Sequence, residues 1–263
     1  VISCGESVTF ICGNFGAILQ EAPRQSNEGP DTAIQSNNWV SLSKGETQKT
    51  LRTLWPIDER NLIAAGDAGV VLHFDGNSLT LTELPEPLRI HDIWGSSPKN
   101  IYAVCDQATI FHFDGNSWDV VHRGRDDTAL LAIAGFGPHD IFAVGDNGCA
   151  LRYDGLMWRK IETGVTQELY ALWGQDSQHI LAVGGGGLVL RWNGEQWKQF
   201  AAGTDYDLYG VTGSSLNQIF LCGLAGTLIA FEDNTWRKNF TGVRSDLHAV
   251  AGVGEKCFTV GSN

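Results

Sequence analysis

The segment Gly145-Asp-Asn-Gly-Cys-Ala-Leu-Arg-Tyr-Asp-Gly-Leu-Met-Trp158 has close relatives elsewhere in the same chain. Upstream stand Gly66-Asp-Ala-Gly-Val-Val-Leu-His-Phe-Asp-Gly76 and Cys105-Asp-Gln-Ala-Thr-Ile-Phe-His-Phe-Asp-Gly-Asn-Ser-Trp118. Downstream come Gly184-Gly-Gly-Gly-Leu-Val-Leu-Arg-Trp-Asn-Gly-Glu-Gln-Trp197 and Gly223-Leu-Ala-Gly-Thr-Leu-Ile-Ala-Phe-Glu-Asp-Asn-Thr-Trp236. Trp118, Trp158, Trp197 and Trp236 therefore fall 40, 39 and 39 residues apart. A second motif precedes each copy, for example Leu169-Tyr-Ala-Leu-Trp-Gly174 followed by Ile180-Leu-Ala-Val-Gly184, with counterparts starting at Leu51, Ile90, Leu130, Leu208 and Leu247. A period of this length marks an array of small structural units.

Within one unit the residues read as four short strands, at 169–174, 179–184, 188–193 and 196–201 in the fifth copy. Each is a short apolar or aromatic run bounded by Gly, Asp, Asn or Ser. The third and fourth are joined through Asp-Gly or Asn-Gly, which tolerate the positive φ of tight hairpins. The nearly continuous apolar second strand predicts burial on both faces. The expected fold is therefore all-β, a β-propeller of four-stranded antiparallel blades, in one domain over 1–263. Six complete repeats start near Val1, Leu51, Ile90, Leu130, Leu169 and Leu208; the seventh, 247–263, holds two strands. Residues 1–13 match 250–261, so the two ends carry the same strand pair and do not complete each other. That favours seven blades with the last outer hairpin beyond Asn263; six blades with a surplus hairpin is the alternative. The first repeat carries an insertion at 20–38, polar and with two Pro, expected to be a mobile hairpin extension.

Composition narrows the function. The chain has 263 residues, 43% hydrophobic and 18% charged, enough for a substantial core. No apolar run is long enough to span a bilayer. Acidic residues outnumber basic ones 30 to 18, a formal charge of −12, which argues against a nucleic-acid partner. The six Cys include no CxxC pair, and no paired metal-ligand spacing occurs, so neither metal nor cofactor is expected. Catalytic signatures such as His-Glu-x-x-His, Gly-x-Ser-x-Gly and the Walker loop are missing. The glycine run 184–187 lies between two strands and reads as a turn, not a phosphate loop. Cys12 and Cys222 occupy equivalent second-strand positions and read as buried free thiols.

The stretch Ile93-Trp-Gly-Ser-Ser-Pro-Lys-Asn-Ile-Tyr-Ala-Val104, with Phe113-Asp-Gly-Asn-Ser-Trp118, resembles bacterial secreted or lipoprotein propellers of the BNR/Asp-box-like superfamily. The resemblance covers essentially the whole chain; related propellers include sialidases, sortilin-type receptors and photosystem assembly factors. It implies a propeller and an extracellular, periplasmic or cell-surface location. An Asp-box has Asp five residues before its Trp, whereas Asp114 and Asp154 stand four before theirs, a shortened turn. The Arg-Ile-Pro segment of the sialidases has no counterpart, since Arg89-Ile90 continues into His91.

Recurring residues read as fold, differing ones as recognition. The Trp in the fourth strand, and Trp55, Trp94 and Trp173 in the first, recur and are assigned to packing. Asp75, Asp114 and Asp154 are assigned to turn geometry. At the start of the first strand one position reads Arg52, His91, Leu131, Tyr170, Tyr209 and His248, preceded in the last three blades by Glu168, Asp207 and Asp246. Built in the usual way, these line the upper mouth of the channel, where Asp67, Asp106 and Asp146 also arrive. Arg52, His91, Tyr170, Tyr209, His248, Glu168, Asp207 and Asp246 are the candidate ligand-binding set. Against this stands a plainer role for the three carboxylates, accepting backbone hydrogen bonds from the next blade. The expected function is a non-enzymatic module binding a protein or carbohydrate ligand; a glycoside hydrolase or lyase using axial carboxylates, and an assembly factor for a protein complex, are the alternatives.

Overall fold

The computed structural model describes residues 2–4, 8–12, 16–21, 39–58, 61–124, 127–253 and 256–262. The chain divides into two compact units, 1–90 and 91–263. In the first, β1 (Ile2–Cys4), β2 (Val8–Cys12), β3 (Ile18–Glu21) and β4 (Trp39–Ser41) form one sheet. A second sheet holds β5 (Leu51–Pro56), β6 (Leu62–Gly66), β7 (Val70–Phe74) and β8 (Leu79–Glu83). The second unit begins with the sheet of β9 (Ile90–Ser97), β10 (Asn100–Cys105), β11 (Ile110–Phe113) and β12 (Trp118–His122). Then come β13 (Leu130–Gly135), β14 (Ile141–Gly145), β15 (Ala150–Tyr153) and β16 (Trp158–Lys160). The fifth sheet is β17 (Leu169–Asp176), β18 (His179–Gly184), β19 (Leu188–Trp192) and β20 (Trp197–Ala201). The sixth is β21 (Leu208–Ser215), β22 (Gln218–Gly223), β23 (Leu228–Glu232) and β24 (Thr235–Asn239), and β25 (Leu247–Val253) pairs with β26 (Lys256–Gly261) alone. These are the four-stranded antiparallel blades of a β-propeller, with a two-stranded seventh. Residues 22–38 of the expected insertion lie outside the described residues.

Burial follows the pattern of side chains. Every residue of β6 and of β14 is buried, as a continuous apolar second strand requires. In β20, by contrast, only Trp197 is buried. The core lies between successive blades: Leu181, Val183 and Val189 of the fifth pack on Leu208, Leu221 and Ile229 of the sixth. Each fully buried aliphatic side chain is worth about 1.5–3 kcal/mol.

The recurring glycines have two different causes. Gly66, Gly145, Gly184, Gly223 and Gly261 end the second strand in extended backbone, and a Cβ there would strike the carbonyl of the residue that precedes the first strand. That carbonyl accepts the next backbone N–H, for example Gly185 N–H to the Glu168 oxygen at 3.0 Å. The turn that follows contains consecutive left-handed residues, such as Gly186 (φ 65°) and Gly187 (φ 71°). In the third blade these are Gln107 (φ 59°) and Ala108 (φ 44°), and the Ala108 methyl lies against Gly124, where a Cβ would sit 2.5 Å away.

The hairpin Asp residues behave as turn formers. Asp154 Oδ1 accepts the N–H of Leu156 and of Met157, each at 2.9 Å, and Asp75 and Asp114 repeat the arrangement. Backbone N–H groups hold the Asp75 and Asp114 carboxyls below the usual range; for Asp154 the Arg159 side chain leads, with the backbone donors next. Trp118, Trp158 and Trp197 are buried, each against the aromatic residue that closes the preceding strand. Cys222 is a buried free thiol, pushed up to about 12 by burial, whereas Cys12, free as well, is only half-buried.

Candidate functional site

The candidate positions share a local device. In blades two, four, five, six and seven the ladder between the first two strands shifts register at the second residue of the first strand. Arg52, Leu131, Tyr170, Tyr209 and His248 are the residues skipped. A β-bulge of this kind re-aims the extra side chain and is over-represented beside binding sites. The flanking residues, such as Leu169 and Leu208, stay fully buried, whereas Tyr170 and Tyr209 are half-exposed and His248 is exposed. None of the eight candidates is packed inside a blade.

The structure brings one subset together in the second unit. The rings of Tyr170 and Tyr209 meet edge to face at 5.4 Å, and Tyr209 and His248 lie 5.7 Å apart at 36°. His248 Nε2 lies 2.6 Å from the Ser262 hydroxyl. Burial raises the Tyr170 phenol above its usual range, helped by the charges of Asp207 and Glu168 and by Tyr209 and Asp146. Tyr209 is raised by burial, then by Asp207 and Asp246. Glu168 and Asp207 flank the backbone of Gly185, whose Cβ position would be 3.4 Å from Glu168 Oε2 and 3.8 Å from Asp207 Oδ1. The result is a row of three aromatic rings bordered by carboxylates. His91 belongs to the same unit, with its Nε2 2.7 Å from Asp106 Oδ1. In the first unit Arg52 donates to Asp67 at 2.6 Å, and Arg89 reaches the same carboxylate at 3.2 Å.

Two of the carboxylates are also structural. Asp207 Oδ1 accepts the Gly186 N–H at 2.8 Å, and Asp246 Oδ1 accepts the Ala225 N–H at 2.9 Å. These donors lie in the turn of the preceding blade, so the expectation of a bond from the next blade is corrected in direction. The reason is geometric: the turn after the second strand reaches over the start of the following blade. Arg89 occupies the position of Asp207 three repeats earlier, and meets Asp67 of its preceding turn as an ion pair. Sequence reasoning missed Asp92, whose two carboxylate oxygens accept the N–H of Ile93 and, from the fourth blade, of Ile133. Its signal was an acidic residue where the sister strands carry Thr53, Ala132, Ala171, Gly210 and Ala249. Among the described residues, no group of three or more His, Cys, Asp or Glu is arranged to hold a metal ion. Among the same residues, no helix is long and apolar enough to cross a membrane.

A propeller with bulged, variable positions at the leading edge of its blades is the class that this geometry defines. Known structures agree on the fold. YCF48 bound to a D1 peptide is similar with a TM-score of 0.72 and 14% identity, over 97% of this chain and 86% of that one. The WD40 β-propeller domain of Doa1 gives a TM-score of 0.74 at 9% identity, over 94% and 82%. YCF48 from Cyanidioschyzon merolae gives 0.72 at 13%, over 99% and 91%. No protein-family model and no curated protein matches the sequence.

Proposed function

We propose that this propeller is a non-enzymatic interaction module whose Tyr170–Tyr209–His248 row receives a ligand bearing cationic or hydroxyl groups. The observation that carries the reading is that row itself, partly exposed and bordered by Glu168, Asp207 and Asp246. Tyrosine faces attract a Lys or Arg head group, worth about 0.5–2 kcal/mol each, and carboxylates accept from both cations and hydroxyls. A peptide is favoured over a glycan, because the surrounding charge rewards a cation, and YCF48, with the same fold, is known bound to a peptide. An enzymatic reading draws less support: Asp207 and Asp246 each commit an oxygen to a backbone N–H. Export to the cell surface belongs to the same proposal, on the resemblance described above, and fractionation of the producing cell tests it.

The test is a peptide array and a glycan array read with the wild-type chain, then with the Tyr170→Ala/Tyr209→Ala variant. Binding should fall by about tenfold or more, equivalent to about 1.4 kcal/mol, with the melting curve retained. It should also weaken with added salt, as a cationic ligand requires. Unchanged affinity in the double variant would place the ligand elsewhere.

A further inference from the structure

In the third and fourth blades one polar side chain of the third strand is held by a residue where the second strand begins. In the third blade this is His112, opposite Tyr102, with its Nε2 2.7 Å from Asn100 Oδ1. In the fourth it is Arg152, opposite Phe142, and Asp140 accepts its Nε–H at 3.0 Å. Arg152 also stands directly opposite Arg159 across the outer hairpin, and Asp154 accepts the Nε–H of that second guanidinium at 2.7 Å. Like charges directly opposite each other on a sheet repel, and here each has its own carboxylate.

The fifth blade keeps both cations and neither carboxylate. Arg191 stands directly opposite Lys198, as Arg152 stands opposite Arg159. The place of Asp140 is taken by His179, whose Nδ1 lies 2.8 Å from Asp176 Oδ1. The place of Asp154 is taken by Asn193, whose Oδ1 still accepts the turn N–H groups of Glu195 and Gln196 but carries no charge. Among the described residues, the side chains of Arg191 and Lys198 have no ion pair and no hydrogen bond, although Arg191 is half-buried. In the sixth blade the repulsion does not arise, because Arg237 stands opposite Ala230 and meets Asp233 at 3.6 Å. The unneutralised pair is therefore peculiar to the fifth blade, on a chain whose net charge is −12.

The surroundings add to this charge. Arg191 shares a face with Leu181 and Val189, which pack on the sixth blade. On the facing surface of that blade Lys238 stands opposite Ile229, and it too has no partner among the described residues. We propose that the outer end of the gap between the fifth and sixth blades binds a dianionic oxyanion, a phosphate or sulfate group, with Arg191 and Lys198 as its donors. The planar guanidinium meets two oxygens at once, and the ammonium supplies a mobile point charge. Lys238 raises the positive field at the same place. A carboxylate brings one negative charge and leaves one of the opposed cations unneutralised. The site is separate from the Tyr170–Tyr209–His248 row, favours the opposite charge, and does not depend on the reading given to that row.

The probes are inorganic phosphate, sulfate and acetate, titrated into the intact chain at constant ionic strength and at a pH where phosphate is doubly charged. Binding is followed by the NMR signal of the Arg191 Nε–H and by the melting temperature. Phosphate or sulfate should shift the signal saturably and raise the melting temperature; acetate, with half the charge, should bind about tenfold more weakly. Arg191→Gln and Lys198→Gln should each weaken phosphate binding by about tenfold. The decisive variant is Asn193→Asp, which keeps the turn acceptor and gives Lys198 the carboxylate that Arg159 has. It should lose most of the phosphate binding while melting no lower than the parent. Phosphate binding that is unchanged in Asn193→Asp and in Lys198→Gln overturns the proposal, and so does acetate binding as tight as that of phosphate. A melting temperature that rises equally with phosphate in the Arg191→Gln/Lys198→Gln chain overturns it too, and assigns the effect to the general action of such salts on folded proteins.

Discussion

Gly186 and Gly187 are neighbours with the same handedness, yet only one of them is sterically irreplaceable. Nothing lies within 4 Å of a Cβ built on Gly186, and Ala68 and Ala225 occupy its position in other blades. A Cβ on Gly187 would collide with the Thr204 carbonyl. Gly186→Ala should therefore cost about 1 kcal/mol or less, left-handed strain being partly offset by a less flexible unfolded chain. Gly187→Ala should cost about 3 kcal/mol, because backbone must move. Equal melting temperatures for the two variants would contradict this. The packing Trp residues allow a similar separation. Trp158→Ala and Trp197→Ala should each cost about 3–5 kcal/mol. The Phe replacements should cost far less, since no hydrogen-bond partner meets either buried indole N–H. Denaturant titration of the four variants decides it.

At the scale of the strand, what the residues encode directly is apolar continuity, and what they conceal is register. The second strands and the Asx hairpins were legible because Ile-Phe-Ala-Val and Asp-Gly carry their own physics. The bulges were not, since Leu-Tyr-Ala reads alike with or without one; only the changing residue between constant Leu51, Leu130, Leu169, Leu208 and Leu247 pointed to something unusual. The candidate set was found for that reason, while the bonds of Asp207 and Asp246 to the preceding blade needed coordinates. These bonds give a clean dissociation. Asp207→Ala removes the acceptor of the Gly186 N–H and should cost about 1 kcal/mol, as the loss of a cap does. Asp207→Asn keeps an acceptor oxygen and should cost less than half of that, yet remove a charge from beside Tyr209. Thermal melts measure the first effect, and the salt dependence of ligand binding the second. An Asn variant as unstable as the Ala variant would mean that the charge, rather than the geometry, holds the turn.

For the molecule as a whole, titration sets a window of stability. Burial holds His112 and His122 below their usual 6.5. Between that value and their lower folded values the unfolded chain binds protons that the fold does not, so stability falls as pH drops through this interval. The Asp75, Asp114 and Asp154 turns add a second loss below 3.8, where their depressed carboxyls finally protonate. Burial raises Cys105 and Cys222 from 9.0, so above that pH the unfolded thiols ionise first and stability falls again. Melting temperature should therefore be highest between about 6.5 and 9. The His112→Gln/His122→Gln variant should show a shallower decline between pH 6.5 and 5, a difference that leaves out the general effect of the −12 net charge. A parent curve still rising as pH falls below 6 would refute the assignment. Composition made the sign of that charge legible; that His112 and His122 are desolvated it could not reveal, because desolvation depends on what surrounds a ring and not on the residue itself.

The bulge at the head of the first strand has a consequence for how such a protein changes over generations. A side chain standing outside the ladder can be exchanged without a compensating exchange in its neighbours, so each repeat can drift in what it displays while inheriting the same frame. Arg52, Leu131, Tyr170, Tyr209 and His248 are five such settings, each released from the strand ladder even where the side chains touch one another.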